Sequence, residues 1–374
     1  MPVSIGAHFL HQDRQLHGSP GMSVELLYRS QGIDSARDRV TKMVDKGVDV
    51  WLRVDQAPGQ TLPNKDEWQQ RAEYAQFMAQ VAADPLFSRC KGLICGNEPN
   101  LPGENGGRPS GISPKWVMTV VSGFGSAVDD LNNVFTRVRQ ANPAMQVVIP
   151  AVAPWSGVTG GELSPAQYGL LPPGRTRLNA WEQYAATLAW CAYQPDSRWT
   201  RADVCFAVHM YSNVLFAASK GVPPSAEPTA DLGNAEWDHA QYGSRVYDDF
   251  MYHLALHAGG TPPPHLVTEW NTYVGAQPGH QNDPSDPAWP ANNYPAGLLQ
   301  NVVAMLRTKS NLLGFAMFVD DHGAAGGCPD WGLTSVTGYL GDCAGGVPED
   351  PASQKGRLQA WNADFDRLLV QGWG

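Results

Sequence analysis

The chain has 374 residues, of which 43% are apolar and 17% are charged, and this composition supports a large core and excludes extensive disorder. The net charge of −10 argues against broad nucleic-acid binding, which depends on Lys and Arg facing phosphates, and against docking on an anionic membrane. No stretch approaches the ~20 apolar residues of a transmembrane helix, and the opening MPVSIGAHFL lacks a signal-peptide pattern. We therefore expect a cytoplasmic protein or the mature form of a secreted one.

Short apolar runs alternate with longer amphipathic stretches along the first half of the chain. The apolar runs predict strands, and the amphipathic stretches, the first of which ends at Gly47, predict helices. The run SVELLYR, over 23–29, predicts either a further strand or part of a short helix. In chain order the other elements are strand 4–10, helix 35–46, strand 48–55, helix 66–83, strand 91–97, helix 114–141 and strand 145–153.

The second half repeats the same alternation of helix and strand. Its predicted elements are helix 178–194, strand 204–211, helix 243–258, strand 265–270, helix 294–308, strand 312–319 and helix 352–370. The strands are apolar almost throughout, as buried parallel strands are. Eight such β/α units predict a single (β/α)8 TIM barrel domain over 1–374.

An open doubly wound sheet is the alternative fold. It would carry a glycine-rich GxGxxG turn after the first strand, and the sequence has none there. The long segments 99–113, 154–177, 212–242, 274–293 and 320–350 each follow a strand. In a barrel these loops gather on the C-terminal face, where active sites lie.

The six cysteines lack the paired Cys-x-x-Cys spacing of zinc sites. Cys95 and Cys205 fall in apolar runs and are predicted to be core residues. Cys328 and Cys343 flank a glycine-rich loop, and the spacing leaves a disulfide and two thiols equally open.

Polar side chains follow three of the predicted strands directly. Glu98 ends the strand 91–97 in GNEPN, Glu269 ends the strand 265–270 in TEWN, and His209 and Tyr211 end the strand 204–211. A carboxylate after an apolar run is costly unless it is paired or used in chemistry. Two such glutamates indicate acid/base work, and glycoside hydrolysis requires such a pair.

These motifs resemble those of the glycoside hydrolases of clan A, and NEPN with TEWNTY is most similar to families 39 and 5. The resemblance spans about residues 3–370 and implies that Glu98 is the general acid/base and Glu269 the nucleophile. It further implies that Asn97 binds the sugar 2-hydroxyl, that Tyr211 holds the nucleophile, and that His209 lines the −1 subsite.

Two features depart from the clan pattern. Many members end strand eight with a tryptophan that forms the floor of the −1 subsite, but Phe318 or Val319 stands there, with Trp331 in the following loop as the alternative. Members also carry an early arginine that contacts the nucleophile, and Arg53 is the candidate, with Arg29 competing. Further candidates for stacking on a sugar are Trp155, Trp270 and Trp289.

The sequence therefore predicts a retaining glycosidase that acts on a carbohydrate, needs no metal or organic cofactor, and binds neither nucleic acid nor membrane. A catalytically silent carbohydrate-binding barrel is one alternative. A metal-dependent hydrolase using His8, His209, His265 or Asp320 is another, although His8 itself is expected to be a buried, hydrogen-bonded histidine. The sugar, the linkage and the oligomeric state stay open.

Overall fold

A computed structural model of the chain describes residues 3–10, 21–154, 158–169, 171–172, 176–213, 217, 220–230, 243–273, 297–317 and 364–371. The strands are β1 Ser4–His8, β2 Gly21–Tyr28, β3 Asp49–Asp55, β4 Gly92–Cys95, β5 Gln146–Val148, β6 Phe206–Asn213, β7 His265–Tyr273 and β8 Leu312–Met317. The helices are α1 Arg37–Asp45, α2 Trp68–Ala83, α3 Pro114–Ser122, α4 Val134–Ala141, α5 Pro165–Tyr168, α6 Ala180–Ala192, α7 Val246–Ala258, α8 Leu298–Arg307 and α9 364–371.

The predicted (β/α)8 fold is confirmed. The strands form one sheet in the order β5-β4-β3-β2-β1-β8-β7-β6, in which β1 lies beside β8. The open choice over 23–29 is resolved, since residues 23–28 belong to β2 and Arg29 begins the short 3-10 helix Arg29–Gln31. The helix predicted over 352–370 falls partly outside the described residues, which contain its end as α9.

The single long helix predicted over 114–141 was wrong. Gly123 caps α3 in the left-handed conformation, with φ of +74°, and Asn133 starts α4 by accepting a hydrogen bond from the backbone N–H of Thr136. Glycine adopts positive φ without steric cost, and an asparagine at the N-cap satisfies a free backbone donor. The segment 123–133 therefore ends one helix and begins another.

The chain divides into two compact units, whose boundaries fall inside β2, β6, α7 and β7. One unit contains 1–23, 210–246 and 267–374, and the other contains 24–209 and 247–266. In the second unit β3 pairs with β4 and β4 with β5, all parallel. There Ile149 also bridges β5 to β6: its N–H donates to the carbonyl of Cys205 and its carbonyl accepts from Ala207, both at 2.9 Å. The single-domain organisation stays a prediction.

In the first unit β1 pairs in parallel with β8, with Ser4 opposite Gly314 and Ala7 opposite Met317. Gly6 lies in this strand so close to the backbone of Met22 that a Cβ would overlap the Met22 carbonyl. A glycine is therefore required for β1 and β2 to approach each other.

Cys95 and Cys205, which were predicted to be core residues, are buried. Cys90 and Cys191 are also buried thiols, and burial raises the pKa of Cys90 to about 12. Cys328 and Cys343 lie outside the described residues. Within the described part of the chain, none of the helices combines the length and apolar character that spanning a bilayer requires.

His265, at the start of β7, is fully buried between two hydrogen-bond partners. Its Nδ1 lies 2.8 Å from the carbonyl oxygen of Pro263, which can only accept, so Nδ1 carries the proton. Its Nε2 then accepts from the hydroxyl of Tyr247 at 2.6 Å. Burial lowers the pKa of His265 to about 4, against the opposing effect of the Pro263 carbonyl.

We expect this neutral histidine to make unfolding easier in mild acid. Because its pKa is 6.5 when exposed and about 4 when folded, its contribution to stability is present above pH 6.5 and is lost as the pH falls towards 4. The loss is about 3 kcal/mol in the free energy of unfolding, measured by urea titration across that range. A His265→Asn variant should lose this part of the pH dependence of the free energy of unfolding, whereas Tyr247→Phe, which keeps the imidazole, should retain it. The same pH dependence in the wild type and both variants would contradict the prediction.

Candidate active site

Glu98 stands on a strained turn directly after β4. Gly96 has φ of +86°, and a Cβ there would meet the hydroxyl oxygen of Thr61. Glu98 itself has φ of +37°, in the left-handed region that non-glycine residues rarely adopt, which costs about 1–3 kcal/mol. Such strain persists only where the surroundings enforce it, and it is concentrated at functional sites.

The surroundings enforce the turn through both asparagines of GNEPN. The backbone N–H of Asn97 donates to Thr61 Oγ1. Asn100 is fully buried and bonds Ala153, beyond the end of β5, in both directions: its Nδ2 donates to the carbonyl and its Oδ1 accepts from the N–H, each at 2.9 Å. The side chain of Asn100 is therefore structural, whereas Asn97 anchors the turn through its backbone N–H.

The carboxyl group of Glu98 is paired with an imidazole. Glu98 Oε1 lies 2.8 Å from Nδ1 of His209, and the two residues are only 7% and 2% exposed. A carboxyl and an imidazole at this distance share one proton, and the pair can keep it on either partner. The predicted neighbours Asn97, Glu98 and His209 are thus brought together within one unit.

Glu269 has a different set of partners. The hydroxyl of Tyr211 donates to Glu269 Oε2 at 2.7 Å, and Nε2 of His8 lies 3.8 Å from Oε1. Glu269 is 4% exposed and His8 is 2% exposed. A phenol hydroxyl that donates to a carboxylate favours its ionised form. Tyr211 thus stands where the resemblance to clan A places the residue that holds the nucleophile.

Trp270 does not offer a ring for sugar stacking. It is fully buried, lies 5.8 Å from the ring of Phe315 between centroids, and donates from Nε1 to Ser212 Oγ at 3.1 Å. Successive side chains of a strand point to opposite faces, so Glu269 and Trp270 must diverge. The stacking role expected for Trp270 is therefore corrected to a structural one.

The two competing arginines occupy different surroundings. Arg29 donates to Gln56 Oε1 at 2.9 Å and to Glu73 of α2 at 3.1 Å, so its guanidinium is engaged with helix α2. Arg53 is largely buried and lies with Nε 3.5 Å from Oδ2 of Asp55 at the end of β3. The site role of Arg53 stays a prediction. Other predicted site residues lie outside the described residues: Trp155, Trp289, Phe318, Val319, Asp320 and Trp331.

Sequence reasoning missed Glu104. This residue ends the short 3-10 helix Pro102–Glu104 in the loop after β4. Burial raises the pKa of Glu104, the charge of Arg53 opposes this effect, and the charge of Glu98 adds to it. The local sequence PGENGG reads as an ordinary turn, so only the fold reveals this third carboxylate.

Comparison with known proteins gives similarity in structure alone. No family model matches the sequence, and no curated protein matches it significantly. A glucosidase from Croceicoccus marinus is similar over 99% of this chain and 71% of its own, with a TM-score of 0.50 and 12% identity. This similarity shows the shared barrel fold, which is the fold that the resemblance to clan A predicts.

Two other solved structures are similar at lower TM-scores. A broad-specificity endoglucanase (GH5-4) from Clostridium longisporum has a TM-score of 0.44 and 12% identity over 94% of this chain and 81% of its own. An endocellulase from Pyrococcus horikoshii, in complex with cellotetraose, has a TM-score of 0.44 and 13% identity over 91% and 83%.

We expect Trp270→Ala to act on stability. Removing a fully buried indole should lower the free energy of unfolding by about 4 kcal/mol, measured by urea titration. Trp68→Ala is the matched control, because Trp68 is 54% exposed, and its loss should be much smaller. If Trp270→Ala instead weakened glycan binding while leaving stability unchanged, the structural role given to Trp270 would be wrong.

Proposed function

We propose that the chain is a retaining glycoside hydrolase that cleaves β-glycosidic bonds of an oligo- or polysaccharide. The observation that carries the proposal is a pair of buried glutamates, one after the fourth strand and one on the seventh, with different partners: an imidazole for Glu98 and a phenol hydroxyl for Glu269. In a (β/α)8 barrel the carboxyl ends of all strands meet at one face, where active sites lie. Two carboxyl groups in unlike surroundings suit one acid and one nucleophile.

Glu269 acts as the nucleophile. The Tyr211 hydroxyl donates to one of its oxygens and favours the ionised form, which can attack the anomeric carbon. The attack forms a bond between the Glu269 carboxylate and the sugar as the bond to the leaving oxygen breaks. The covalent glycosyl-enzyme divides one difficult displacement into two easier ones.

Glu98 acts as the general acid and then as the base. In its protonated form it gives its proton to the leaving oxygen, and His209 steadies the carboxyl group through the 2.8 Å contact. In the second step the Glu98 carboxylate takes a proton from water, and the water oxygen replaces Glu269 on the anomeric carbon. Both residues end in their starting forms, and the configuration at the anomeric carbon is retained.

The remaining predicted residues have binding roles in this proposal. Asn97 contacts a sugar hydroxyl, His209 and Tyr211 line the −1 subsite, and Arg53 supplies positive charge at the end of β3. Trp155 and Trp331 stay candidates for stacking. The glucosidase that shares the fold makes aryl glucosides the first substrates to test.

The first test compares the wild type with Glu269→Ala on a panel of aryl β-glycosides, with and without azide. We expect the variant to lose about 10⁴-fold in kcat, because no nucleophile remains. Azide should restore turnover and yield a glycosyl azide of inverted configuration. Glu73→Gln, which changes an exposed carboxylate paired with Arg29, should stay at wild-type activity.

Two results would count against this mechanism. Glu98, His209 and Glu269 are also residue types that ligate metal ions, so activity that a chelator abolishes would favour a metal-dependent hydrolase. If no glycoside is cleaved but a glycan array shows binding, the barrel is a carbohydrate-binding protein.

Glu98→Gln tests the acid directly. With a leaving group that needs protonation, kcat/KM should fall by about 10²–10⁴-fold, because the amide has no proton to give. With a dinitrophenyl glycoside, whose leaving group departs as a stable anion, the fall in kcat/KM should be much smaller. Equal turnover by variant and wild type on both substrates would remove Glu98 from the mechanism.

A further inference from the structure

The turn that follows β1 has a strained backbone. Phe9 has φ of +51°, in the left-handed region that residues other than glycine rarely adopt, and it is only 5% exposed. The N–H of Leu10, the next residue, donates to Oγ of the buried Ser23 in β2 at 3.2 Å. Strain of this kind persists only where the surroundings enforce it, and it is concentrated at functional sites. The turn therefore fixes the position of the residue before it, His8, which ends β1.

His8 turns its imidazole towards the candidate nucleophile. Its Nε2 lies 3.8 Å from Oε1 of Glu269, and both side chains are buried. This distance is longer than a hydrogen bond, but a ring N–H and a carboxylate still attract each other over it, because burial removes the water that would screen them. The hydroxyl of Tyr211 donates to the other oxygen, Oε2, at 2.7 Å. All three residues belong to the same compact unit of the chain.

The two facing atoms indicate where His8 carries a proton. The oxygens of an ionised carboxylate can only accept hydrogen bonds, and an unprotonated ring nitrogen is an acceptor too. Two acceptors that face each other in a buried site repel, whereas a ring N–H that faces a carboxylate is attracted. The position of Nε2 beside Oε1 therefore indicates that Nε2 carries a proton, whether the imidazole is neutral or charged.

We propose that His8 is a positioning residue for the nucleophile: its Nε2–H attracts Oε1 of Glu269 while the Tyr211 hydroxyl holds Oε2, so that the carboxylate keeps one orientation. This inference rests on the proposed function, since it gives His8 a role in the attack of Glu269 on the anomeric carbon. His8 acts through Glu269 and transfers no proton in either step.

A single hydrogen bond does not fix the orientation of a carboxylate. The terminal torsion of a glutamate side chain is broad, so the bond at Oε2 still leaves Oε1 a range of positions. The attraction of His8 for Oε1 narrows that range. A nucleophile must be aligned with the atom it attacks, and a misplacement of about 1 Å costs about 10²-fold in rate. Loss of His8 should therefore slow the attack and leave the binding of the sugar nearly unchanged.

The test compares His8→Leu and His8→Gln with the control His257→Leu. Leucine fills a similar volume without an N–H, whereas glutamine returns an N–H within reach of Oε1. In His8→Leu, kcat/KM should fall by about 10²-fold both on a leaving group that needs protonation and on a dinitrophenyl glycoside, because Glu269 attacks in both reactions. His8→Gln should recover most of this loss. His257→Leu, which makes the same exchange near the end of α7, should stay at wild-type activity.

A mechanism-based inactivator separates the attack from sugar binding and from folding. With a dinitrophenyl 2-deoxy-2-fluoro glycoside, Glu269 displaces dinitrophenolate, and the sugar stays on the enzyme as an ester because fluorine slows the hydrolysis of that ester. In His8→Leu the inactivation rate constant at saturation should fall by about 10²-fold. The half-saturating concentration and the fraction of chains labelled should match the wild type. A merely structural residue would give the reverse pattern, with fewer chains labelled at an unchanged rate constant, and that pattern would overturn the inference.

A second measurement does not need activity. In protein labelled with nitrogen-15 in the histidine rings, Nε2 of His8 is assigned by the loss of its resonance in His8→Leu. At neutral pH this resonance should have the shift of a nitrogen that carries a proton. It should move in Glu269→Gln, which removes the facing charge, and stay in place in Glu73→Gln.

These NMR results distinguish the failure of the inference from the failure of the proposed function. If the wild type cleaves no glycoside and the resonance behaves as expected, the proposed function fails while the orientation of Glu269 by His8 stands. An unprotonated Nε2, or a resonance that Glu269→Gln leaves in place, overturns the inference whatever the activity of the protein.

Discussion

Removing a carboxylate from water is costly, and this cost governs the arrangement around both glutamates. Glu98 and Glu269 are 7% and 4% exposed, so each needs partners inside the protein. Neighbouring strands and loops supply them: β6 provides His209 for one glutamate and Tyr211 for the other.

The face of β6 and β7 opposite Tyr211 and Glu269 carries a second hydrogen-bond network, which supports the bond between those two residues. Trp270 donates to Ser212, Ser212 lies 2.6 Å from Ser244 between their hydroxyl oxygens, and Ser244 donates to Glu227 from both its N–H and its hydroxyl. All four residues are fully buried. The bond from Tyr211 to Glu269 and the bond from Trp270 to Ser212 join the same two strands on opposite faces, and together they define the register at the candidate nucleophile.

The sequence predicted the barrel because its strands are apolar runs bounded by clear turn residues, and eight of them alternate with helices. The prediction of one helix over 114–141 was wrong, because the apolar periodicity continues although Gly123, in the left-handed conformation, ends the helix. The sequence placed Glu98 correctly after β4, whereas His209, Tyr211 and Glu269 lie inside strands that continue to Asn213 and Tyr273. The stacking role predicted for Trp270 was wrong, because the register of the strand decides which side chains face inward. A sequence motif does not show that register. Glu104 carries no local signal, since its partly buried position depends on the bond between its backbone carbonyl and the N–H of Thr61 in another loop.

The strained backbone at Glu98 links these features. A left-handed glutamate is stable only if its neighbours leave no lower-energy alternative, and the bonds of Asn97 to Thr61 and of Asn100 to Ala153 provide that constraint. The same loop that holds Thr61 also holds the backbone of Glu104. A turn fixed in this way presents the carboxyl group of Glu98 in one position before any ligand arrives. The free-energy cost of this preorganisation falls on folding and not on a reaction, which is what the acid role proposed for Glu98 requires.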